Sequence, residues 1–471
     1  MEKVNHKLTM VQVAVRGAII LGISTAASGL ALLFNFQEAK QLLAIFTFVL
    51  IISSTLLFWN FRLAIAFIGM AAILGGNVLT LQEFIASSEL DIILFLVGMM
   101  TLVGVLKDLG LFSWIIQSVI GMENMTGRKF IILVMVISAL MASVVDEVTS
   151  IVIILALIFQ VCDTLKVRAT PFVIIAVLAT NIGSSGTMLG NPIGILIGTK
   201  AGFSFLDFIT WAAPIMILSL IGALFIVLYW FRADIDMLAE RLEARRKKQL
   251  GLGPLVKIPF KKGLFILCAA ITLIAMHHFL ERKLGVEKNT LLIVTPLFIS
   301  GILMIWKNER ARHYIESEVE WWTLMFFMML FAIAASLEAT GVTGQIAELF
   351  TETFGENPVI LTPVVMFITA AGSAFVDNVV FIAAFIPVIN DIGSTPLWWA
   401  LLFGGCFGGN ITMIGSTANI VAIGMMEKRY RAHMSFREWF RIGILVGVIT
   451  CVFATVLILL LMPFMPAMPG Y

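Results

Sequence analysis

Residues 129–162 and 358–390 are apolar stretches of an awkward length. A bilayer is crossed by about 20 helical residues, so each stretch is too long for one passage and too short for two. Each also carries carboxylates near its middle, Asp146 and Glu147 in the first and Asp377 in the second. Backbone that turns round at that depth is tolerated only inside protein or beside a wet cavity, which predicts two re-entrant helical hairpins. The composition agrees with a chain built for lipid: 60% of the 471 residues are hydrophobic and 13% are charged, against roughly 25% charged in soluble domains. The expected fold class is an all-α polytopic membrane protein, with about 11 transmembrane helices plus the two hairpins. A net charge of +2 and no basic run interleaved with aromatics exclude a nucleic-acid partner.

Hydropathy places the other apolar segments at 17–36, 41–60, 63–80, 91–106, 170–199, 208–230, 263–278, 290–306, 322–340, 397–426 and 442–462. Lys3 and Lys7 precede the first of these, which is read as an uncleaved helix because no small-residue cleavage site follows. If the N-terminus is cytoplasmic and both hairpins return to their own side, 26 of the 31 basic residues fall on the inner face, Arg62 and Arg431 among them. Lys40, Lys200, Arg282, Lys283 and Lys288 fall outside, and the C-terminus ends outside. This asymmetry is the positive-inside pattern, and counting either hairpin as a crossing would destroy it. The protein is therefore expected in the plasma (inner) membrane, with the lipid bilayer as its constant partner.

The polar stretch 231–262, with nine basic and four acidic residues, reads as a cytoplasmic linker dividing two related halves. Asp91-Ile-Ile-Leu-Phe-Leu-Val-Gly-Met-Met matches Glu320-Trp-Trp-Thr-Leu-Met-Phe-Phe-Met-Met, and Lys107-Asp-Leu-Gly110 matches Glu338-Ala-Thr-Gly341. Ala142-Ser-Val-Val-Asp146 matches Ser373-Ala-Phe-Val-Asp377, and Thr187-Met-Leu-Gly190 matches Thr412-Met-Ile-Gly415. The expected organisation is N-terminal helices at 1–84, a first repeat at 85–230, the linker at 231–262 and connecting helices at 263–317. A second repeat follows at 318–462, then a tail at 463–471. The copies start on opposite sides of the membrane, and such inverted repeats are a plan of secondary transporters, each half supplying a broken helix to a midplane site.

In each copy the hairpin is followed by a span interrupted by glycines: Asn181-Ile-Gly-Ser-Ser-Gly-Thr-Met-Leu-Gly-Asn-Pro192 within 170–199, and Gly408-Gly-Asn-Ile-Thr-Met-Ile-Gly-Ser-Thr-Ala-Asn419 within 397–426. Such segments are expected to unwind, with Ser, Thr and Asn oxygens satisfying the freed backbone or replacing an ion's hydration shell. The bland alternative is close packing by small residues. No Lys, Arg or His sits at the depth of Asp146 and Asp377 in these elements, so a bound cation, a proton or backbone amides must compensate their charge. The alternative there is that each carboxylate caps a half-helix. Glu147 is a candidate third group or a second cap.

Other signals are bland. Cys162, Cys268, Cys406 and Cys451 lie in apolar segments without metal spacing and read as core. Glu338 and Asp108 fall near span ends, as do His277 and His278, which are expected to face water. Trp59, Trp230, Trp306, Trp321, Trp322, Trp398 and Trp399 fit interfacial belts. The chain lacks HExxH, GxSxG and P-loop motifs, so no enzyme and no cofactor are expected. An intramembrane aspartyl protease remains as a remote alternative.

At Ser143-Val-Val-Asp146-Glu147-Val-Thr149, Ser373-Ala-Phe-Val-Asp377-Asn378-Val, Asn181-Ile-Gly183, Gly190-Asn191-Pro192, Gly408-Gly-Asn410 and Gly415-Ser416-Thr417-Ala418-Asn419 the sequence resembles the ion transporter superfamily. It resembles especially the ArsB/NhaD branch of sodium/proton antiporters, arsenite permeases and the melanosomal P protein, over about 40–462. The resemblance implies a sodium- or lithium-for-proton antiporter with H+ and Na+ (or Li+) as coupling ions. Asp146 and Asp377 would bind the transported cation and the proton alternately. Glu147 and Asn378 would add ligands, Thr187, Asn191, Thr412, Ser416 and Asn419 would complete the shell, and Thr149, Asn181, Asn410 and Thr417 match the motifs beside them. It also implies a homodimer. The dicarboxylate carriers of the superfamily have Ser-Asn-Thr at the hairpin tips, where this chain has Asp146-Glu147-Val148 and Asp377-Asn378-Val379. Fixed negative charge there favours a cation. Two departures from the antiporter pattern, Glu147 for the usual Asn and Pro192-Ile193-Gly194 for Pro-Pro-Asn, leave a proton-coupled carrier of arsenite, another small oxyanion or a dicarboxylate as the alternative.

Overall fold

A computed structural model describes residues 10–34, 36–58, 61–249, 251–252, 256–430 and 434–466; Lys3, Lys7, Trp59, Arg431 and the end of the C-terminal tail lie outside them. Among these residues every regular element is a helix. Eight helices are long and apolar enough to cross a membrane, or ten if two bent pairs each count as one span. The number falls short of about 11 because several apolar segments are cut into helices as short as Arg62–Gly75, Thr170–Gly183 and Pro192–Ala201, with 14, 14 and 10 residues.

Both halves run through the same order of elements. The first has Leu90–Asp108, Leu111–Ile120, Gly127–Val144, Glu147–Leu165, Thr170–Gly183, Pro192–Ala201 and Phe205–Trp230. The second has Trp321–Ala339, Val342–Phe354, Pro358–Phe375, Asn378–Ile392, Thr395–Gly408, Thr417–Tyr430 and Phe436–Leu461. The breaks fall where local chemistry puts them. Helix Gly127–Val144 starts on Thr126, whose hydroxyl accepts from the Lys129 amide, and the chain stops being helical at Asp146, with φ 126°. Helix Glu147–Leu165 ends on Lys166 in the left-handed region, and the next begins with Pro171 in its first turn, where no amide donor is needed. Pro358 and Pro396 hold the corresponding first turns in the second half.

The contacts divide the described residues into two units. One comprises the residues up to Leu90 with Trp321–Thr353 and Ala383–Ile392. In it Met10–Leu33 packs on Ala39–Leu57, and Trp321–Ala339 packs on both Ala39–Leu57 and Arg62–Gly75. Arg62 is buried there, its guanidinium 4.9 Å from the centre of the Phe326 ring. The other unit comprises Asp91–Glu320, Phe354–Ile382 and the residues from Gly393 onward. At its centre lie Thr170–Gly183 and Thr395–Gly408, every residue of which is buried. Gly127–Val144 packs along the first and Pro358–Phe375 along the second, while Phe205–Trp230 and Phe436–Leu461 pack on each other and on these central helices.

Four sequence expectations change, for the linker, Trp398 and Trp399, His277 and the core placement of Cys268. The linker 231–262 contains a helix, Arg232–Lys247, because Ile235, Leu238 and Leu242 recur at helical spacing and bury against the first hairpin. Trp398 and Trp399 do not lie in an interfacial belt: both are buried, and Trp399 stacks on Phe203 at 4.6 Å with Phe208 edge-on. His277 does not face water either; it is buried with its Nδ1 2.7 Å from the Ile274 carbonyl, where helix Lys261–Ala275 bends by 56° into His277–Leu284. Trp230, Trp306, Trp321 and Trp322 are between 43% and 51% exposed, as a belt requires. Cys268 is exposed, whereas Cys162, Cys406 and Cys451 are buried and all four are free thiols.

Candidate functional site

The two hairpin tips and the two broken spans meet in the second unit. Each tip is tied to its own broken span in the same way. Thr187 donates its hydroxyl to the Ser143 carbonyl, and Thr412, at the equivalent place, donates to the Ala374 carbonyl. Ser143 returns a bond to the Gly183 carbonyl at 2.6 Å, and Ser373 donates to the Gly405 carbonyl at 2.6 Å. Gly183 lies against the backbone of Ala139 and Gly408 against that of Ala370, positions related by the repeat, and a Cβ on either glycine would overlap backbone atoms. The hydroxyls of Thr187 and Thr412 are therefore clamps in this conformation, and Ser143 and Ser373 add a second bond from each hairpin to its span. Both serines stand in the motifs matched between the halves, but neither carries a charge that would mark it as a tie to the broken span.

The carboxylates differ among themselves. Asp146 is half-buried and caps helix Glu147–Leu165, its Oδ1 accepting from the Thr149 amide at 2.8 Å. Asp377 is buried; its Oδ1 accepts from the Val379 amide at 3.1 Å and its Oδ2 from the Thr417 hydroxyl at 2.9 Å. Asn378 turns its Oδ1 to the same Val379 amide at 2.9 Å. Capping, the alternative weighed for both aspartates, is thus part of what each does. Glu147 is different. It is buried, it bridges the repeats by accepting from the Ser416 hydroxyl at 3.2 Å, and its Oε2 has no partner. Asp146 is its chain neighbour, and Asp377 bonds Thr417, the residue after the Ser416 that holds Glu147. Among the described residues none of the three carboxylates forms an ion pair.

Beside the carboxylates lies an amide cluster that also crosses between repeats. Asn181 donates to the Oδ1 atoms of Asn410 and Asn419, both at 2.9 Å, and keeps its own Oδ1 buried without a donor. Asn419 donates to the Gly409 and Thr412 carbonyls at 2.7 and 2.8 Å, closing the unwound stretch on itself. Asn410 is held by its carbonyl, which accepts from the Trp439 indole at 3.0 Å. Asn191 caps helix Pro192–Ala201 through the Gly194 amide and donates to Ser184 at 2.9 Å and to the Cys406 sulfur at 3.2 Å. Cys406 and Trp439 escape a sequence reading because a cysteine and a tryptophan in apolar runs carry no mark of their bonds to Asn191 and Asn410, and only the position of Ser184 inside the glycine-broken stretch hints at its role.

The site thus gathers Glu147 with Ser416, Asp377 with Thr417 and Asn378, and Asn181 with Asn410 and Asn419, while Asp146 and Thr149 close the first tip and Thr187, Asn191 and Thr412 hold the unwound backbone. Buried oxygens without donors cost roughly 1–3 kcal/mol each, so Glu147 Oε2 is a place for a proton or a hard cation, and Asn181 Oδ1 for a hydrogen-bond donor or a hard cation. Among the described residues no three His, Cys, Asp or Glu side chains gather to hold a resident metal ion.

The sequence profile of the citrate transporter family matches residues 48–404. The chain is 30% identical over 383 residues to an uncharacterized transporter of Mycobacterium tuberculosis, an alignment covering 79% of this chain and 86% of that one. It is 24% identical over 467 residues to the P protein of Homo sapiens, covering 82% of this chain and 55% of that protein. Among solved structures, the YdaH transporter of Alcanivorax borkumensis, described as having an unusual topology, superposes with a TM-score of 0.54 at 14% identity, over 91% of this chain and 99% of that one. The apolar helices, the recurring order of elements and these likenesses lead to one conclusion: the chain is a multi-pass membrane transporter that belongs to the citrate transporter family.

Proposed function

We propose that this transporter exchanges sodium or lithium for protons by alternating access. The observation that carries this reading is the cluster of Glu147 and Asp377, two buried carboxylates from different repeats with hydroxyls and amide oxygens around them and no basic side chain paired to either. An unpaired carboxylate in a membrane interior is expensive and usually functional. A carboxyl that is protonated in one state and faces a cation in the other avoids that cost throughout the cycle. In this mechanism Glu147 holds the proton while its Oε2 lacks a partner. Cation entry would displace that proton, with Asp377 supplying the fixed negative charge and Ser416, Thr417 and Asn181 supplying oxygens. Asp146, half-buried next to Glu147 on the first tip, would be the second exchangeable group. The tips and broken spans would carry the site between the two faces together, since the Thr187 and Thr412 clamps and the two glycine contacts fasten each tip to its span. The same reading places the protein in the plasma membrane with a cytoplasmic N-terminus, as a homodimer.

The description of its family favours a second reading, proton-coupled transport of citrate or another carboxylate or small oxyanion. Three carboxylates without a cationic partner oppose it, because a bound polyanion would meet only like charge. A protease is opposed by the separate engagements of Asp146 and Asp377, which cap different helices and share no hydrogen bond among the described residues. The test is transport by proteoliposomes with a pH-sensitive dye inside: sodium or lithium should discharge a preset proton gradient, and Glu147→Gln should uncouple cation entry from proton release. No response to either cation, with uptake of labelled citrate or arsenite instead, would replace the antiporter with the second reading.

A further inference from the structure

The two lysine-rich ends of neighbouring apolar helices meet at a cleft that transport does not use. Helix Lys261–Ala275 begins there, helix Thr290–Trp306 ends there, and the amphipathic helix Leu111–Ile120 forms a wall. The cleft has a volume of about 970 Å³, the size of a small-molecule site. Its walls are aromatic: Trp114 stacks on Phe260 with ring centres 3.9 Å apart, and Trp306 faces them from the other side. Its rim is basic. Lys262 and Lys307 lie over the Trp306 ring at 5.6 and 4.9 Å, and Lys257 and Lys261 complete the set. None of the four lysines has a carboxylate partner among the described residues, and the one acidic residue of the lining, Asp108, is engaged by Arg310 at 2.6 Å and by the Tyr314 hydroxyl at 2.7 Å.

Two further features fix the kind of ligand. The first turn of helix Lys261–Ala275 has no side-chain cap, so its amide donors and positive dipole end are added to the lysines, a combination that suits a phosphate. A second, shallower depression of about 310 Å³ shares Lys261, Lys262 and Trp306 with the cleft and continues onto Phe265 and Ile266. Phe265 is 74% exposed and nearby Ile305 80%, an apolar surface of the kind that faces acyl chains. A phosphate seat that opens onto an apolar groove matches one molecule with a charged head and a hydrocarbon chain. We propose that this is a binding site for an anionic phospholipid, the headgroup phosphate held by Lys261, Lys262, Lys307 and the helix N-terminus, and an acyl chain lying along Phe265 and Ile266.

Native mass spectrometry of the full chain in detergent tests this, with phosphatidylglycerol, phosphatidylcholine and free glycerol phosphate as probes. Phosphatidylglycerol should bind in preference to phosphatidylcholine. Replacing Lys261, Lys262 and Lys307 by Gln should weaken that binding by about a hundredfold, each basic residue near a surface contributing about fivefold. A control triple, Arg241→Gln, Lys247→Gln and Lys248→Gln on the linker helix, removes the same charge and should keep the affinity within about threefold. Equal loss in both triples would show diffuse attraction and overturn the site. So would equal binding of phosphatidylcholine. Displacement of phosphatidylglycerol by glycerol phosphate at comparable concentration would reassign the cleft to a free phosphate and overturn the lipid assignment.

Discussion

Asp377 caps a helix and sits at the heart of the proposed ion site, and two substitutions separate those roles. Asp377→Asn keeps the geometry: asparagine caps as well as aspartate, so the bond from the Val379 amide at 3.1 Å survives. The Thr417 hydroxyl, now 2.9 Å from Asp377 Oδ2, can reverse and accept from the new amide. The fold should therefore change by less than about 1 kcal/mol. Asp377→Ala loses the cap, worth about 0.5–2 kcal/mol, and takes the partner of the half-buried Thr417 hydroxyl, at up to about 1–3 kcal/mol, for a total of about 1.5–5 kcal/mol. Cation affinity depends instead on the charge. Leaving a buried cation without its anion costs about 3 kcal/mol or more, at least a hundredfold in affinity, in both variants. Thermal unfolding in detergent reads the first quantity and sodium-driven dye response in proteoliposomes reads the second. The expected result is that Asp377→Asn melts with the wild type yet does not transport, while Asp377→Ala fails in both. If Asp377→Asn transports normally and only Asp377→Ala fails, Asp377 is a cap and nothing more, and the proposed ion site is wrong.

Gly183→Ala and Gly408→Ala should each destabilise by about 1–3 kcal/mol, because the added methyl meets backbone of Ala139 or Ala370 and no flexible side chain can give way; denaturant unfolding that left either variant within 0.5 kcal/mol of wild type would contradict the close approach. Asn181→Ala should cost about 2–5 kcal/mol, since Asn410 and Asn419 each lose a 2.9 Å donor in a buried setting, and cysteine accessibility at Ser416→Cys should rise with it. On the linker helix, burial raises the Asp234 carboxyl above its ordinary range, with the Glu438 charge adding to this and Arg168 opposing it. A raised folded value means that the folded state holds the proton more tightly than the unfolded chain does. The group therefore costs stability once the pH rises above its folded value, and the cost vanishes below about pH 3.9, the unfolded value. Asp234→Asn should raise the melting midpoint at pH 7 and leave it unchanged at low pH.

Charge in the wrong place was the most legible feature of the sequence. Asp146 and Asp377 interrupt apolar runs, and the chain breaks its helices at those residues; Gly183 and Gly408 end the helices that precede each unwound stretch, as the glycine spacing implies. The repeat is legible for the same reason, since its markers are rare residues at matched intervals. What pattern could not reach is side-chain pairing across the repeats. The bond between Glu147 and Ser416 and the one between Asn181 and Asn419 join residues 269 and 238 positions apart, and nothing in either local segment names the other. Trp398 and Trp399 misled for a physical reason: a tryptophan in the first turns of an apolar helix looks the same whether the helix end meets headgroups or other helices, and here Phe203 and Phe208 close over Trp399.

Helices Thr170–Gly183 and Thr395–Gly408 have no residue left uncovered. At 1.5 Å per residue each is about 21 Å long, short of the roughly 30 Å apolar core. Neither could rest in lipid alone, so neither fits an assembly route in which finished spans insert first and find one another afterwards. Each needs a protein surface in the bilayer, and Gly127–Val144 and Pro358–Phe375, which precede them in the chain and pack along them, supply one. The ribosome delivers hairpin and then broken helix in both halves, so that surface is made before the helix that needs it.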